Sequence, residues 1–201
     1  MVKLLGGRAA AAVIGLFMLA IGSSANAQDV APLAQRAVTS SSVTVQLAPE
    51  IAKEAAWLYK GGWGLDALVD KYATSAQLDE QTNCLATAVY FEARGESVEG
   101  QLAVARVVMN RAASGRYPSD WCSVVKQPAQ FSFVRHGEFP YADTSSYAWQ
   151  RAEAVAKLAV ANVVPSVDTD VLWYHANYVA PSWGRRLAMV QKIGAHIFYR
   201  A

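Results

Sequence analysis

From Asp79 onward, apolar residues recur at helical spacing, and the densest such stretch is "EQTNCLATAVYFEARGE", with Asp79 placed to cap its N-terminus. A second periodic run, "VEGQLAVARVVMNRAA", predicts a helix from about Val98 to Ala112. It sets Val104, Val107, Val108 and Arg111 on one side, and Gly115 to Pro118 end it. Trp121 to Lys126 reads as one more helical turn. Ser145 to Val163 reads as an Ala-rich helix whose stripe of Ala148, Ala152, Val155 and Ala159 is small enough for close packing. Period-two alternation then takes over. "QPAQFSFV" predicts a loop leading into a short strand, and "DVLWYHA" with "LAMVQKIGAHIFYR" predicts an antiparallel pair across the "PSWGRR" turn. Upstream, Pro49 opens a helix through Lys60 that Gly61 and Gly62 end, followed by a short segment from Leu65 to Tyr72. The fold class is α+β, mostly helical, with a small antiparallel sheet at one side.

The first residues do not belong to this pattern. Lys3 and Arg8 precede an apolar run from Ala9 to Ile21, then small polar residues and Ala25-Asn26-Ala27. That order is a secretory signal with cleavage expected after Ala27. The apolar run falls short of the roughly 20 residues that span a bilayer, and no Cys follows the cleavage site, so neither a stable membrane anchor nor a lipoprotein is expected. Removing residues 1–27 takes two of the 18 basic residues and none of the 16 acidic ones, leaving equal numbers. A neutral chain has no field to draw nucleic acid or anionic lipid. Residues 28–83 are then a linker and short helices, loose as far as Leu47 ("VTSSSVTVQL"), and residues 84–201 carry the chemistry. Cys84 and Cys122, in an exported chain, predict one disulfide, with two buried thiols as the alternative.

Glu92 stands out against the helical pattern. With Leu85 as the zero of a helical wheel, Val89 falls at about +40°, Ala88 at about −60° and Glu92 at about −20°, in the middle of the apolar arc. If the helix continues past Gly95, Glu96 falls at about +20°, one turn above. A carboxylate there loses hydration, which raises its pKa into the range a general acid needs. The competing reading is a structural ion pair with Arg94, Arg106 or Arg111. Glu99 opens the next helix, where the dipole favours it, and needs no further role. His136, His175 and His196 lack the spacing of zinc ligands, with no HExxH or CxxC pairing, so neither metal nor other cofactor is expected. Tyr174 and His175 sit among Trp173, Tyr178 and Trp183, residues that fill cores or, when exposed, stack on sugar rings. No G-x-S-x-G elbow is present, and Cys122 has no nucleophile signature.

Taken together, "CLATAVYFEARGESVEGQLAVARVVMNR", "YPSDWCSVVKQPAQFSF", "LWYHANYVAPSW" and "IGAHIFY" resemble the SleB-type cell-wall hydrolases, from about Cys84 to the C-terminus. The resemblance implies a lysozyme-like or lytic-transglycosylase-like α+β domain acting on the glycan strands of peptidoglycan; a monomer is expected. It implies that Glu92 is the general acid and base. Gln130 and Ser132 of "QFSF", Tyr174 and His175 of "WYH", Trp183 and Glu96 become candidates for binding substrate, with His196 and Tyr199 less certain. His196 alternates with Phe198 and also reads as a core histidine.

A glycosidase with two carboxylates sets them on opposite sides of the scissile bond. Glu92 and Glu96 on one helix would stand about 5–6 Å apart at Cβ and point the same way. One acid suffices if the sugar's own 6-hydroxyl is the nucleophile, so lytic transglycosylation is the expected outcome, with hydrolysis of the same bond close behind. Asp120, Glu138 and Asp143, in loops, are the residues that would supply a second carboxylate. Competing readings are a zinc amidase using His175 and His196, and a wall-binding module in which Glu92 is only an ion pair.

Overall fold

The computed structural model describes residues 49–73, 78–164 and 166–200. The expected signal and the loose arm up to Leu47 lie outside them. Six helices come first: α1 (Pro49–Lys60), α2 (Leu65–Tyr72), α3 (Glu80–Ala93), α4 (Val98–Ala113), α5 (Trp121–Val125) and α6 (Tyr147–Val160). Three strands follow, β1 (Val171–Ala176), β2 (Ala188–Ile193) and β3 (His196–Arg200). No described helix is long and apolar enough to cross a membrane.

Local chemistry sets the helix ends. The Gly61-Gly62 stop of α1 is a Schellman turn: Gly62 takes φ +91°, its N–H donates to Tyr59 O at 3.0 Å, and Trp63 N–H donates to Leu58 O at 3.1 Å. Asp79 accepts from Thr82 N–H at 3.0 Å, Ser97 from Gly100 N–H at 3.3 Å, and Ser146 from Trp149 N–H at 3.2 Å, each satisfying a donor that a helix start leaves free. Because Ser146 is the cap, Ala148 lies in the exposed first turn of α6. The buried stripe therefore runs through Trp149, Ala152, Val155 and Ala159 rather than through Ala148.

Helices α3 and α4 are sheathed on nearly every side, α3 by α4, α5 and α6, and α4 also by the sheet. The main core gathers Leu85, Val89, Leu102, Val108, Val125 and Leu158, and α1 and α2 join it through Ala55, Leu58, Leu68, Val69 and Tyr72. A smaller cluster of Ala103, Val107, Val171 and Phe198 seats the sheet on α4. Cys84 and Cys122 are bonded, tying the first turn of α3 to α5, and Gln81 Oε1 accepts from Trp121 N–H at 2.8 Å beside the bridge.

Two strand expectations are corrected. The strand order is β1-β3-β2, so β1 does not pair with the strand that follows "PSWGRR". That connection crosses over β3, and β2 and β3 form a tight hairpin at Gly194, φ +55°. "QFSF" is no strand either: Gln127–Gln130 and Phe131–Val134 are closed turns, and Ala129 sits at φ +62°. The alternation arose because Phe131 and Phe133 both turn inward as anchors. Phe133 stacks on Phe91 at 4.9 Å, while Phe131 is buried.

Candidate active site

Glu92 lies in the last turn of α3, half-buried, with β1 facing it. Tyr174 OH donates to Glu92 Oε2 in a long hydrogen bond of 3.5 Å. Tyr174 itself stands where the helical core meets the sheet core, packed against both. His196 meets its ring edge-on at 5.2 Å, and Phe198 lies tilted against it at 5.7 Å.

Burial pushes the Glu92 carboxyl above its usual range, while the Tyr174 hydrogen bond and the Arg111 charge pull the other way. Burial and the neighbouring Glu92 charge push the Tyr174 phenol up, so it stays a donor. Arg111, 4% exposed, donates from Nε to Leu172 O at 2.8 Å and lies against the rings of Tyr117 and Phe131. Its Nη1 is buried with no partner.

None of the three arginines weighed as partners closes an ion pair on Glu92. Arg94 lies over the Tyr90 ring, Arg106 donates to Ala159 O and Asn162 Oδ1, and Arg111 hydrogen-bonds Leu172 O through Nε and acts on Glu92 only through its charge. Among the described residues, no cation closes a salt bridge on Glu92.

Glu96 is not one helical turn above Glu92. The helix ends at Ala93 with Arg94 as its cap, because the chain turns at Gly95 toward the Ser97 cap of α4. Glu96 instead reaches the sheet, where Oε2 accepts from Ala195 N–H at 2.9 Å and Oε1 lies 3.9 Å from His196 Nδ1.

The other candidates divide between two faces of the sheet. Tyr174 pairs with Phe198 and His175 with Ile197, so Tyr174, His196 and Phe198 share the Glu92 face, and His175 points to the opposite one. There His175 Nδ1 donates to Ala176 O at 2.8 Å and Nε2 accepts from Tyr199 OH at 2.9 Å. Trp183 meets His175 edge-on at 5.5 Å and Trp173 at 5.2 Å. His175, Trp183 and Tyr199 thus form one aromatic cluster on the sheet face opposite Tyr174. Gln130 and Ser132 are exposed on either side of buried Phe131, on the loop that Phe133 anchors to Phe91 of α3.

The possible second carboxylates are otherwise engaged or exposed. Asp120 caps α5, accepting from Ser123 N–H at 2.8 Å. Asp143 accepts from Ser145 N–H at 3.0 Å, and Glu138 is exposed. His136 is also exposed, at φ +54°. Among the described residues no three His, Cys, Asp or Glu side chains converge. Two surface hollows of about 560 and 310 Å³ lie along the outer side of α4 around Arg106 and Thr169, away from Glu92.

The Cell Wall Hydrolase family profile matches residues 95–199. The chain belongs to the Cell Wall Hydrolase family. The matched stretch begins just after Glu92 and takes in Glu96, Arg111, Tyr174 and His196. A spore cortex-lytic enzyme of Bacillus subtilis (strain 168) is 34% identical over 119 residues, 57% of this chain and 35% of that protein. One from Oceanobacillus iheyensis is 31% identical over 117 residues, 57% of this chain and 39% of its own. The chain thus spans little more than a third of the length of these relatives. Two solved structures are similar at a TM-score of 0.48 and 29% identity over 63% of this chain: the catalytic domain of the germination-specific lytic transglycosylase SleB from Bacillus anthracis, 99% covered, and that of the Bacillus cereus SleB protein, 94% covered. The family agrees with the SleB-type resemblance of the sequence blocks.

Arg111 joins the site by the same signal that marks Glu92, a charged residue on the apolar side of its helix, here α4. Gly194 carries no such signal, since only the fold brings it to the Glu96 carboxylate.

Proposed function

We propose that this chain is a peptidoglycan-cleaving enzyme that breaks the bond between MurNAc C1 and the GlcNAc oxygen, with Glu92 as sole general acid and base, by lytic transglycosylation. The observation that carries it is a half-buried carboxyl, raised by desolvation, with a phenol as hydrogen-bond partner and no salt bridge. Family membership and relatives named as spore cortex-lytic enzymes support the substrate class.

Burial favours the protonated form of Glu92, and in that form it delivers its proton to the glycosidic oxygen as the C1–O bond breaks. The GlcNAc departs with a free hydroxyl. The new carboxylate is stabilised by the Tyr174 hydroxyl and the Arg111 charge, and then takes the proton from the muramic 6-hydroxyl as that oxygen bonds to C1. The 1,6-anhydro end forms without water, and Glu92 is protonated again. Gln130 and Ser132 offer polar groups from the adjoining loop. The N-terminal signal pattern supports export, to a periplasm or beyond, where the wall polymer lies.

The amidase reading is weaker because its two histidines stand on opposite faces of the sheet. The test is incubation with purified sacculi. Wild type is expected to release soluble disaccharide fragments and Glu92→Gln none. Release of free peptides with intact glycan would contradict the reading.

A further inference from the structure

We infer that Glu96 is a positioning residue that aligns Tyr174 with Glu92 through the β2–β3 hairpin, rather than a group that touches substrate. The inference rests on the reading of Glu92 as the acid. Its basis is a built slot. On one side is Gly100 of α4, where an added Cβ would lie 3.2 Å from Glu96 Cβ. On the other is Gly194 at the hairpin tip, where a Cβ would collide with Glu96 Oε2. Gln101 Nε2 donates to Glu96 O at 2.9 Å, fixing the backbone that aims the side chain.

Within that slot both carboxylate oxygens face the hairpin. Oε2 accepts from Ala195 N–H at 2.9 Å. Oε1 lies 3.9 Å from His196 Nδ1, which is buried and has no hydrogen-bond partner. His196 in turn meets the Tyr174 ring edge-on at 5.2 Å, and Tyr174 OH reaches Glu92 at 3.5 Å. A continuous packed path therefore runs from the α3–α4 turn through the hairpin to the acid. Its function is to fix where the Tyr174 hydroxyl sits, and a misplacement of about 1 Å at such a group costs about 10²-fold in rate.

The experiment is a double-mutant cycle on purified peptidoglycan with wild type, Y174F, E96A and E96A/Y174F, together with E96Q and E92Q. If Glu96 acts through Tyr174, E96A lowers kcat by about 10- to 100-fold with KM nearly unchanged. The double variant is then no slower than Y174F alone, since the shared effect is already lost. E96Q is expected to recover most of the loss, because its amide oxygen still accepts from Ala195 N–H and its NH₂ fills the place of Oε1 facing His196 Nδ1. If E96A melts below the assay temperature, the cycle is run with E96D, whose shorter carboxylate no longer reaches Ala195, and the same non-additivity is expected. Multiplying effects with an inactive E92Q overturn the role of Glu96 alone. Activity in E92Q overturns both this role and the assignment of the acid. A raised KM at unchanged kcat in E96A makes Glu96 a substrate contact and also overturns it.

Discussion

At the scale of single residues, the cost of placing Glu92 in an apolar arc is also its chemical value. Its pKa is raised in the fold, so the folded state holds the proton more tightly than the unfolded chain does. Glu92 therefore contributes most to stability below its unfolded value, and that contribution is lost as pH rises through the folded one. Glu92→Gln removes the ionisation and should melt higher than wild type at pH 7, with the gap closing as pH falls toward the ordinary carboxylate range. A lower Tm for Glu92→Gln at pH 7 would show that the charged form is favourably held. The same substitution should cost turnover at least the roughly 10²–10⁴-fold typical of general acids. Tyr174→Phe removes a group that lowers the Glu92 pKa, so the alkaline limb of its kcat/KM profile should move upward; a downward shift would contradict the arrangement. Glu92 was legible in the sequence because burial follows helical phase. The place of Glu96 was not, because the angle beyond Gly95 depends on whether the helix continues, and the chain instead turns there to begin α4.

Among elements, helices were read closely and the sheet was not. Helix ends carry local signals, as the Asp79 cap and the Gly61-Gly62 stop show, and both fall where those signals put them. Strand order depends on contacts that composition does not record, so β3 as the centre of the sheet was invisible. The division of Tyr174 from His175 follows from period two along β1, but which side meets Glu92 is fixed only by α4 packing on Phe198 and Val171. Phe131 and Phe133 misled because two inward anchors in a turn-rich loop imitate a strand. The Cys84–Cys122 bridge closes a separation of 38 residues, for which chain entropy gives about 4 kcal/mol. A Cys84→Ser/Cys122→Ser variant should lose stability of that order in denaturant unfolding, and reductant should leave its midpoint unmoved. An unchanged midpoint relative to oxidised wild type would mean that the Gln81 contacts alone hold α5 in place.

For the whole molecule, helices α1 and α2 share the main core although the family match starts only at residue 95. Their apolar spacing shows helices, while their place in the core depends on tertiary contacts, of α2 with α6 and α4 and of α1 with α2. In the proposed reading Glu92 alone moves the proton, so EDTA should leave glycan cleavage unchanged; abolished cleavage restored by zinc would favour the amidase. The central claim is that one carboxyl does the work of two, with the sugar's 6-hydroxyl in place of water. Digestion of sacculi in ¹⁸O-labelled water followed by mass spectrometry tests it most directly. The predicted result is 1,6-anhydromuramic ends carrying no solvent oxygen, formed by wild type and absent with Glu92→Gln. Reducing ends that carry the label would contradict it and make this chain a hydrolase.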